Sequence, residues 1–370
     1  MKIIGKYTSA DIKCDTLDGF AEFQIQNVCN LELFKNSAIK IMPDCHAGKG
    51  CVIGFTANMK DKVIPNLVGM DIACSISTYN IGTKKVDFAK LDKVIRTRIP
   101  HGIGVRRKIS ELLSDSLKND IIKLNKEIGD TDEIANRDLL SVGSLGSGNH
   151  FIELNKDSAG NLWFTIHCGS RNLGARLCKY YQSKAKRIKG VGKHLWYIEG
   201  EVLQNYIKHS LVANRFVKEN HKVILSEVCE AMNWAVKDSI FTHHNYLDIE
   251  ANNDIMIRKG AISARLGERV IIPLNMRDGS IIAVGKGNKD WNCSAPHGAG
   301  RLLSRTQAEK EITLEAFKKS MEGIWSTSVK KSTIDESPFV YKSISDIEKY
   351  LNETVDFIDR FLPVYNFKSS

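Results

Sequence analysis

Apolar residues in the first eighty positions fall in short runs parted by glycine, a spacing that predicts β-strands. IKIMP (39–43), CVIGFTANM (51–59) and CSISTYNIG (74–82) are three such runs. The period then lengthens. VDFAKLDKVIRT (86–97) and ISELLSDSLKNDIIKLNKEIG (109–129) carry apolar side chains at three- and four-residue steps, which predicts two amphipathic helices. LWFTIHCG (162–169) predicts a buried strand entering a glycine turn, and RNLGARLCKYYQSKAKRI (171–188) the helix after it. Helical spacing returns over 199–237 and reads as two helices. VIIPLN (270–275) and SIIAVGKG (280–287) predict a strand pair around a turn at Arg-Asp-Gly. Ile347, Leu351, Val355, Ile358 and Leu362 step by three and four and predict a last helix, with Asp346 near its N-terminus.

Strands and helices in this mixture predict an α+β fold. No repeat, low-complexity stretch or long linker divides the chain. The expectation is a single large domain over 1–370, with mixed β-sheets flanked by helices. The polar interruptions have their own pattern. Histidine stands beside Gly, Asn or Cys in PDCHAGKG (43–50), GSGNHF (146–151), HCGSRN (167–172), THHNY (242–246) and APHGAG (295–300). DIAC (71–74) lies between the first two. These runs sit where strands end and loops begin, so a site built from them requires several distant loops to converge.

Of the 370 residues, 42% are hydrophobic and 26% charged, which is ordinary for a globular enzyme. A formal net charge of +10 favours a polyanionic partner, nucleic acid first. The nine cysteines form no disulfide framework and no CxxC knuckle, which suits a reducing cytosol. The charged start, MKIIGKYTSADIKCD, is unlike a signal peptide, and no apolar run is long enough to span a membrane. A cytoplasmic monomer is the expected state.

Asp71, Cys74, His150, His167 and His244 are donors of mixed hardness, suited to zinc, iron, manganese or cobalt. A thiolate can bridge two ions, and Cys74 is the cysteine best placed to do so. Singly, a buried cysteine is usually a small hydrophobe and a lone histidine a hydrogen-bonded core residue. Their joint recurrence in polar loops points to a metal centre instead. GSLGSG (143–148), GKGN (285–288) and HGAGR (297–301) match neither the Rossmann nor the Walker pattern. HGAGR nonetheless offers an imidazole that can attack phosphorus beside a fixed positive charge. The lysine nucleophile motif K-x-D-G is absent, which favours histidine. Arg171 and Arg301 suit phosphate through their planar forks. GSGNH and Asp44-x-His46 also resemble metallophosphoesterase elements, although GDxxD and GHxH are missing. That keeps open a binuclear phosphoesterase acting on cyclic phosphates or nucleotides. An RNA-binding protein with a degenerate site is a third reading.

Together the motifs resemble the RtcB family of RNA ligases. The resemblance runs through MPDCHAGKG, VGMDIAC, GSLGSGNHFIE, HCGSRNLG, HHNYL, RKGA, VGKGN and HGAGR, then SPFVYK (337–342) and Lys368. It implies an RtcB-like fold whose active site lies at converging loops. It further implies a ligase that uses GTP and two Mn²⁺ ions to join RNA 3′-phosphate or 2′,3′-cyclic phosphate ends to 5′-hydroxyl ends, in RNA repair or tRNA splicing. Carried onto this chain, the guanylylated residue is His297, and His297, Asp44 and Arg171 form the catalytic set. The implied metal ligands are Asp71, Cys74, His150, His167 and His244. The implied nucleotide pocket comprises Asn149, His150, Phe151, Glu153, His244, Asn245, Pro273, Asn275, Met276, Ser280, His297, Gly298, Ala299, Gly300, Tyr341 and Lys368. Glu153 would accept from guanine N–H groups, Tyr341 stack on the base, and Lys368 reach its carbonyl oxygen. One departure stands out. The family usually has Pro-Gly-Ser-Met in this pocket, whereas the chain reads PLNM (273–276), with Leu274 for glycine and Asn275 for serine. The change is expected to alter the turn or the nucleotide contact, and it suggests a divergent bacterial-type subgroup devoted to repairing cleaved RNA.

Overall fold

Strands Ile39–His46, Ile53–Met59 and Ser75–Gly82 form where the short apolar runs stood, in a computed structural model that describes residues 1–250 and 253–369. Helix Phe88–Arg98 starts at Asp87, whose side chain accepts from the Lys90 N–H. The helix expected from 109 begins instead at Asp115, because Ser114 supplies the cap, and Gly129 ends it at φ 81°. Strand Leu162–Cys168 and helix Asn172–Ser183 follow as expected. Strands Arg269–Asn275 and Gly279–Gly285 pair as the predicted hairpin.

Two expectations fail. The segment read as two helices is one helix, Gly200–Met232. Its polar middle does not break it, because neighbours satisfy the buried side chains there. Asn220 Oδ1 accepts from the N–H groups of Gly143 and Ser144, and the His221 ring meets the Cys168 carbonyl. The predicted last helix stops at Leu351, having begun at Ile344 behind the Ser343 cap. Val355–Lys368 is a strand. Its β-branched and aromatic residues pair with Gly279–Gly285 on one side and Phe151–Lys156 on the other. Pro363, which would break a helix, falls where the strand bulges.

Two large sheets result. The six-stranded sheet runs in the order Lys2–Ile4, Ser9–Ile12, Ile39–His46, Ile53–Met59, Ile255–Lys259, Asn245–Ile249. The seven-stranded sheet runs Asp238–His243, Ser75–Gly82, Leu162–Cys168, Phe151–Lys156, Val355–Lys368, Gly279–Gly285, Arg269–Asn275. Helix Gly200–Met232 serves both cores. Phe216 and Val217 pack with the first sheet's apolar residues, Ile224 and Val228 with those of the second. Among the described residues, no helix is long and apolar enough to cross a membrane.

Candidate active site

Strand register gathers the donors. His167 lies opposite both Ile76 and Phe151, and Ser75 lies opposite both Cys168 and His243. Cys74, His150, His167 and His244 therefore crowd one end of four adjacent strands. The DIAC turn is zipped to the tandem histidines, since Ala73 N–H donates to the Asn245 carbonyl and His244 N–H to that of Cys74. Ala73 holds a φ of 68°, an unfavourable conformation for a residue with a side chain, directly before Cys74. Of the tandem pair, His243 turns to Ser75 Oγ at 2.5 Å, and only His244 enters the cluster.

The ligand atoms of Cys74, His167 and His244 lie within 4.8 Å of one another, as do those of Asp71, Cys74 and His150. Cys74 belongs to both groups. Its Sγ lies 3.3 Å from His167 Nε2 and 3.6 Å from His150 Nε2. His150 Nε2 lies 3.1 Å from Asp71 Oδ2, and His167 Nε2 3.4 Å from His244 Nε2. The other ring nitrogens are held from behind: His150 Nδ1 meets the Leu145 carbonyl at 3.0 Å and His167 Nδ1 that of Asn149 at 3.1 Å. That fixes Nε2 as the free lone pair, the arrangement metal-binding histidines require. Burial pushes the Cys74 thiol up and the His167 and His244 imidazolium forms well down. A cysteine sulfur, three imidazoles and a carboxylate in two overlapping groups are a donor set that fits a divalent transition metal.

His297 follows strand Ser294–Pro296 and lies beside this cluster, its ring centroid 5.1 Å from that of His244. Asp44 is fully buried. Its Oδ2 accepts from His297 Nδ1 at 2.6 Å, from the His297 N–H at 3.0 Å and from the Gly298 N–H at 3.2 Å. The carboxylate thus fixes the proton on Nδ1 and leaves Nε2 as a base or nucleophile. The imidazole retains 20% of its surface exposure. Neither Asp44 nor His46 belongs to the two donor groups, and His46 Nδ1 lies 3.0 Å from the Asp44 carbonyl. The Asp-x-His element therefore does not build the metal centre in the phosphoesterase manner.

A cavity of about 280 Å³ opens between His297 and the cluster. Among the residues implied for nucleotide, Asn149, Phe151, Glu153, His244, Asn245, Pro273, Asn275, Met276, the 297–300 loop, Tyr341 and Lys368 line it. Two do not. Ser280 is fully buried and does not line the cavity. His150 faces a neighbouring depression instead, together with Asp71, Arg137 and Arg171. Arg171 also stands outside the main cavity. Its guanidinium donates to the Gly102 carbonyl at 2.6 Å and to Ser144 Oγ at 3.1 Å, from a residue with φ 59°.

Sequence reasoning missed Glu336. This buried carboxylate accepts from Tyr341 Oη at 2.6 Å, Lys368 Nζ at 2.6 Å and Arg301 at 3.2 Å. Despite desolvation, the Lys368 ammonium and its other donors hold its carboxyl low, at about 2. The one available signal was its place immediately before SPFVYK. Glu153 shows the opposite balance. Burial raises its carboxyl to about 7, against the hydrogen bond from Asn366 Nδ2 at 2.7 Å. Both departing residues of PLNM, Leu274 and Asn275, line the cavity. Leu274 is buried without a positive φ, and Asn275 Oδ1 caps the following turn by accepting from the N–H groups of Arg277 and Asp278.

Sequence comparison bears on what this arrangement is for. The family described as tRNA-splicing ligase RtcB matches residues 24–369. RNA-splicing ligase RtcB of Escherichia coli K12 is 29% identical over 364 residues, covering 88% of both chains. The tRNA-splicing ligase RtcB of Methanococcus maripaludis is 27% identical, covering 94% of this chain and 90% of its own length. That of Thermococcus kodakarensis is 26% identical, with 89% and 86% covered. With a match over nearly its whole length and an imidazole held beside a cysteine–histidine cluster, the chain belongs to the RtcB family of RNA ligases.

Proposed function

We propose that this enzyme joins RNA 3′-phosphate or 2′,3′-cyclic phosphate ends to 5′-hydroxyl ends, using GTP through a guanylylated His297. The observation that carries this reading is the Asp44–His297 contact at the edge of the donor cluster. With Nδ1–H donated to the carboxylate, Nε2 presents its lone pair to the cavity. Attack on the α-phosphorus of GTP forms an N–P bond and expels pyrophosphate. Asp44 offsets the charge that develops on the ring, and the backbone of 297–300 flanks the phosphate. An RNA 3′-phosphate oxygen then takes the guanylyl group from His297, and the 5′-hydroxyl displaces GMP to seal the strand. A cyclic phosphate end is first opened by hydrolysis.

Asp71, Cys74, His150, His167 and His244 would hold two Mn²⁺ ions, which supply Lewis-acid polarisation of phosphoryl oxygens. Guanine would lie among Phe151, Tyr341, Glu153 and Lys368, with the Glu153 carboxylate as acceptor and the Lys368 ammonium as donor to its edge. Arg171 and Arg137, in the depression on the far side of Asp71 and His150, would receive RNA phosphates. Repair of cleaved RNA, rather than splicing, is the physiological setting we favour.

Incubation with α-labelled GTP and Mn²⁺ tests the reading. Label should remain on the protein, stable to base and lost in acid as for a phosphoramidate, and should be absent from His297→Ala. Cyclic phosphate hydrolysis with neither a GTP requirement nor a joined product would replace ligation with phosphoesterase activity.

A further inference from the structure

Two thiols meet directly behind the residue that holds His297. Cys45 Sγ donates to Cys14 Sγ at 3.6 Å, the one thiol–thiol hydrogen bond among the described residues. Both side chains are largely buried, with 7% of Cys14 and 4% of Cys45 exposed. Their proximity follows from topology. Strand Ser9–Ile12 runs parallel to Ile39–His46, with Ile12 opposite Ile41, and the chain beyond each strand position carries one cysteine. Regular pairing with Ile53–Met59 slips between Ile41 and His46, so the backbone around Cys45 is not clamped by a regular ladder.

Cys45 is covalently next to Asp44, and Lys342 ties it to the other half of the site. Lys342 Nζ donates to the carbonyls of Pro43 at 2.7 Å and Cys45 at 3.3 Å, while its N–H donates to the Gly300 carbonyl at 3.0 Å. Gly300 is packed so tightly that an added Cβ would lie 2.4 Å from the Asp44 carbonyl oxygen. Motion at Cys45 therefore reaches both Asp44 and the 297–300 loop.

We propose that Cys14 and Cys45 are a modification site for hydroperoxides, which convert them to a reversible disulfide that disables the guanylylation of His297. The effect on His297 rests on the ligase reading above, whereas the disulfide itself does not. Cys14 is the attacking sulfur. The hydrogen bond from Cys45 outweighs desolvation and, with the Lys342 ammonium, pushes the Cys14 thiol down to about 7, while the same contact pushes Cys45 up. The Cys14 thiolate attacks a peroxide oxygen, the O–O bond breaks, and an alcohol or water leaves with the proton, giving a sulfenic acid. Cys45 sulfur then attacks the Cys14 sulfur and water departs with the Cys45 proton. Two thiols and one hydroperoxide become one disulfide, one water and one alcohol or second water. Closing from 3.6 Å to a bond of about 2.05 Å requires roughly 1.5 Å of approach, large beside hydrogen-bond tolerances at Asp44.

Mn²⁺-loaded protein treated with graded hydrogen peroxide tests this, with peptide mapping of thiols and labelling by α-labelled GTP read in parallel. A Cys14–Cys45 linked peptide should appear as labelling falls at least tenfold, and dithiothreitol should reverse both. Cys14→Ser should lose the reversible component, which separates it from oxidation of Cys74. Coupling is read without activity by amide hydrogen exchange, which should change at 43–46 and 297–300 together. The proposal is overturned if no 14–45 link forms at doses that oxidise the less buried Cys229 and Cys293. It is equally overturned if the link forms with labelling and exchange unchanged. Reduced protein that takes no label would sink the guanylylation reading instead, leaving the thiol map and the exchange data to decide the switch.

Discussion

Asp44 Oδ2 accepts three N–H groups of the His297–Gly298 segment, so one buried carboxylate sets both the tautomer and the orientation of the imidazole. Asp44→Asn replaces one acceptor oxygen with a donor and competes with Nδ1–H for the same space. Labelling by GTP should fall about a hundredfold or more with the fold retained, measured as initial rate of label uptake beside circular dichroism. Glu153 titrates in the opposite sense to most acids. Its carboxyl is raised from 4.5 to about 7, so the folded state binds this proton more tightly than the unfolded chain. Stability from this group is full below about pH 4.5 and is lost as pH rises towards 7, by roughly 3 kcal/mol. Glu153→Gln should flatten that slope, so denaturation at pH 5 and pH 8 should give closer stabilities than in the parent; parallel slopes would exclude it. Binding of GTP should strengthen from pH 6 to 8, as the carboxylate proposed to accept guanine N–H groups forms.

Helices and turns determine how rigidly those residues are held. Phe216 lies mid-way along Gly200–Met232 with no exposed surface, in the helix that both cores share. Phe216→Ala should cost about 3–5 kcal/mol in denaturant titration, through lost burial and the cavity left behind. The turn at Gly300 combines φ 76° with backbone contact to Asp44, whereas Gly267 has φ 78° and open space around it. Ala at 267 should strain only the backbone, and Ala at 300 should in addition displace Asp44. Comparing label uptake in the two variants separates these effects: a drop of tenfold or more is expected for Gly300→Ala and little change for Gly267→Ala. At this scale the sequence was legible where one period persisted, as in 115–128 and 162–168. It misled at 347–362, because three- and four-residue spacing of apolar residues also fits a helix followed by a strand. Cross-strand partners more than sixty residues away decided between them.

The whole molecule joins its sheets through segments far apart in sequence. His244 stands between a strand of each sheet, and Val355–Lys368 lies inside the seven-stranded sheet while delivering Lys368 to the cavity. A chain ending at 354 should fail to fold cooperatively, because it removes a central strand rather than an edge; size-exclusion and thermal melting would show this. The net charge of +10 acts at the same scale. RNA affinity should fall steeply with salt through counterion release, while GTP labelling at the enclosed His297 changes far less, as filter binding and label uptake across a salt series would reveal. Residue type and loop chemistry alone singled out Asp71, Cys74, His150, His167, His244 and His297 as candidates, since metal binding and phosphorus attack admit few side chains, and the fold brings these six together. Glu336, the exclusion of Ser280, the single long helix and the Cys14–Cys45 contact were decided only by tertiary structure. Burial, register and hydrogen-bond partners set those features, and each depends on which distant segments the fold presses together.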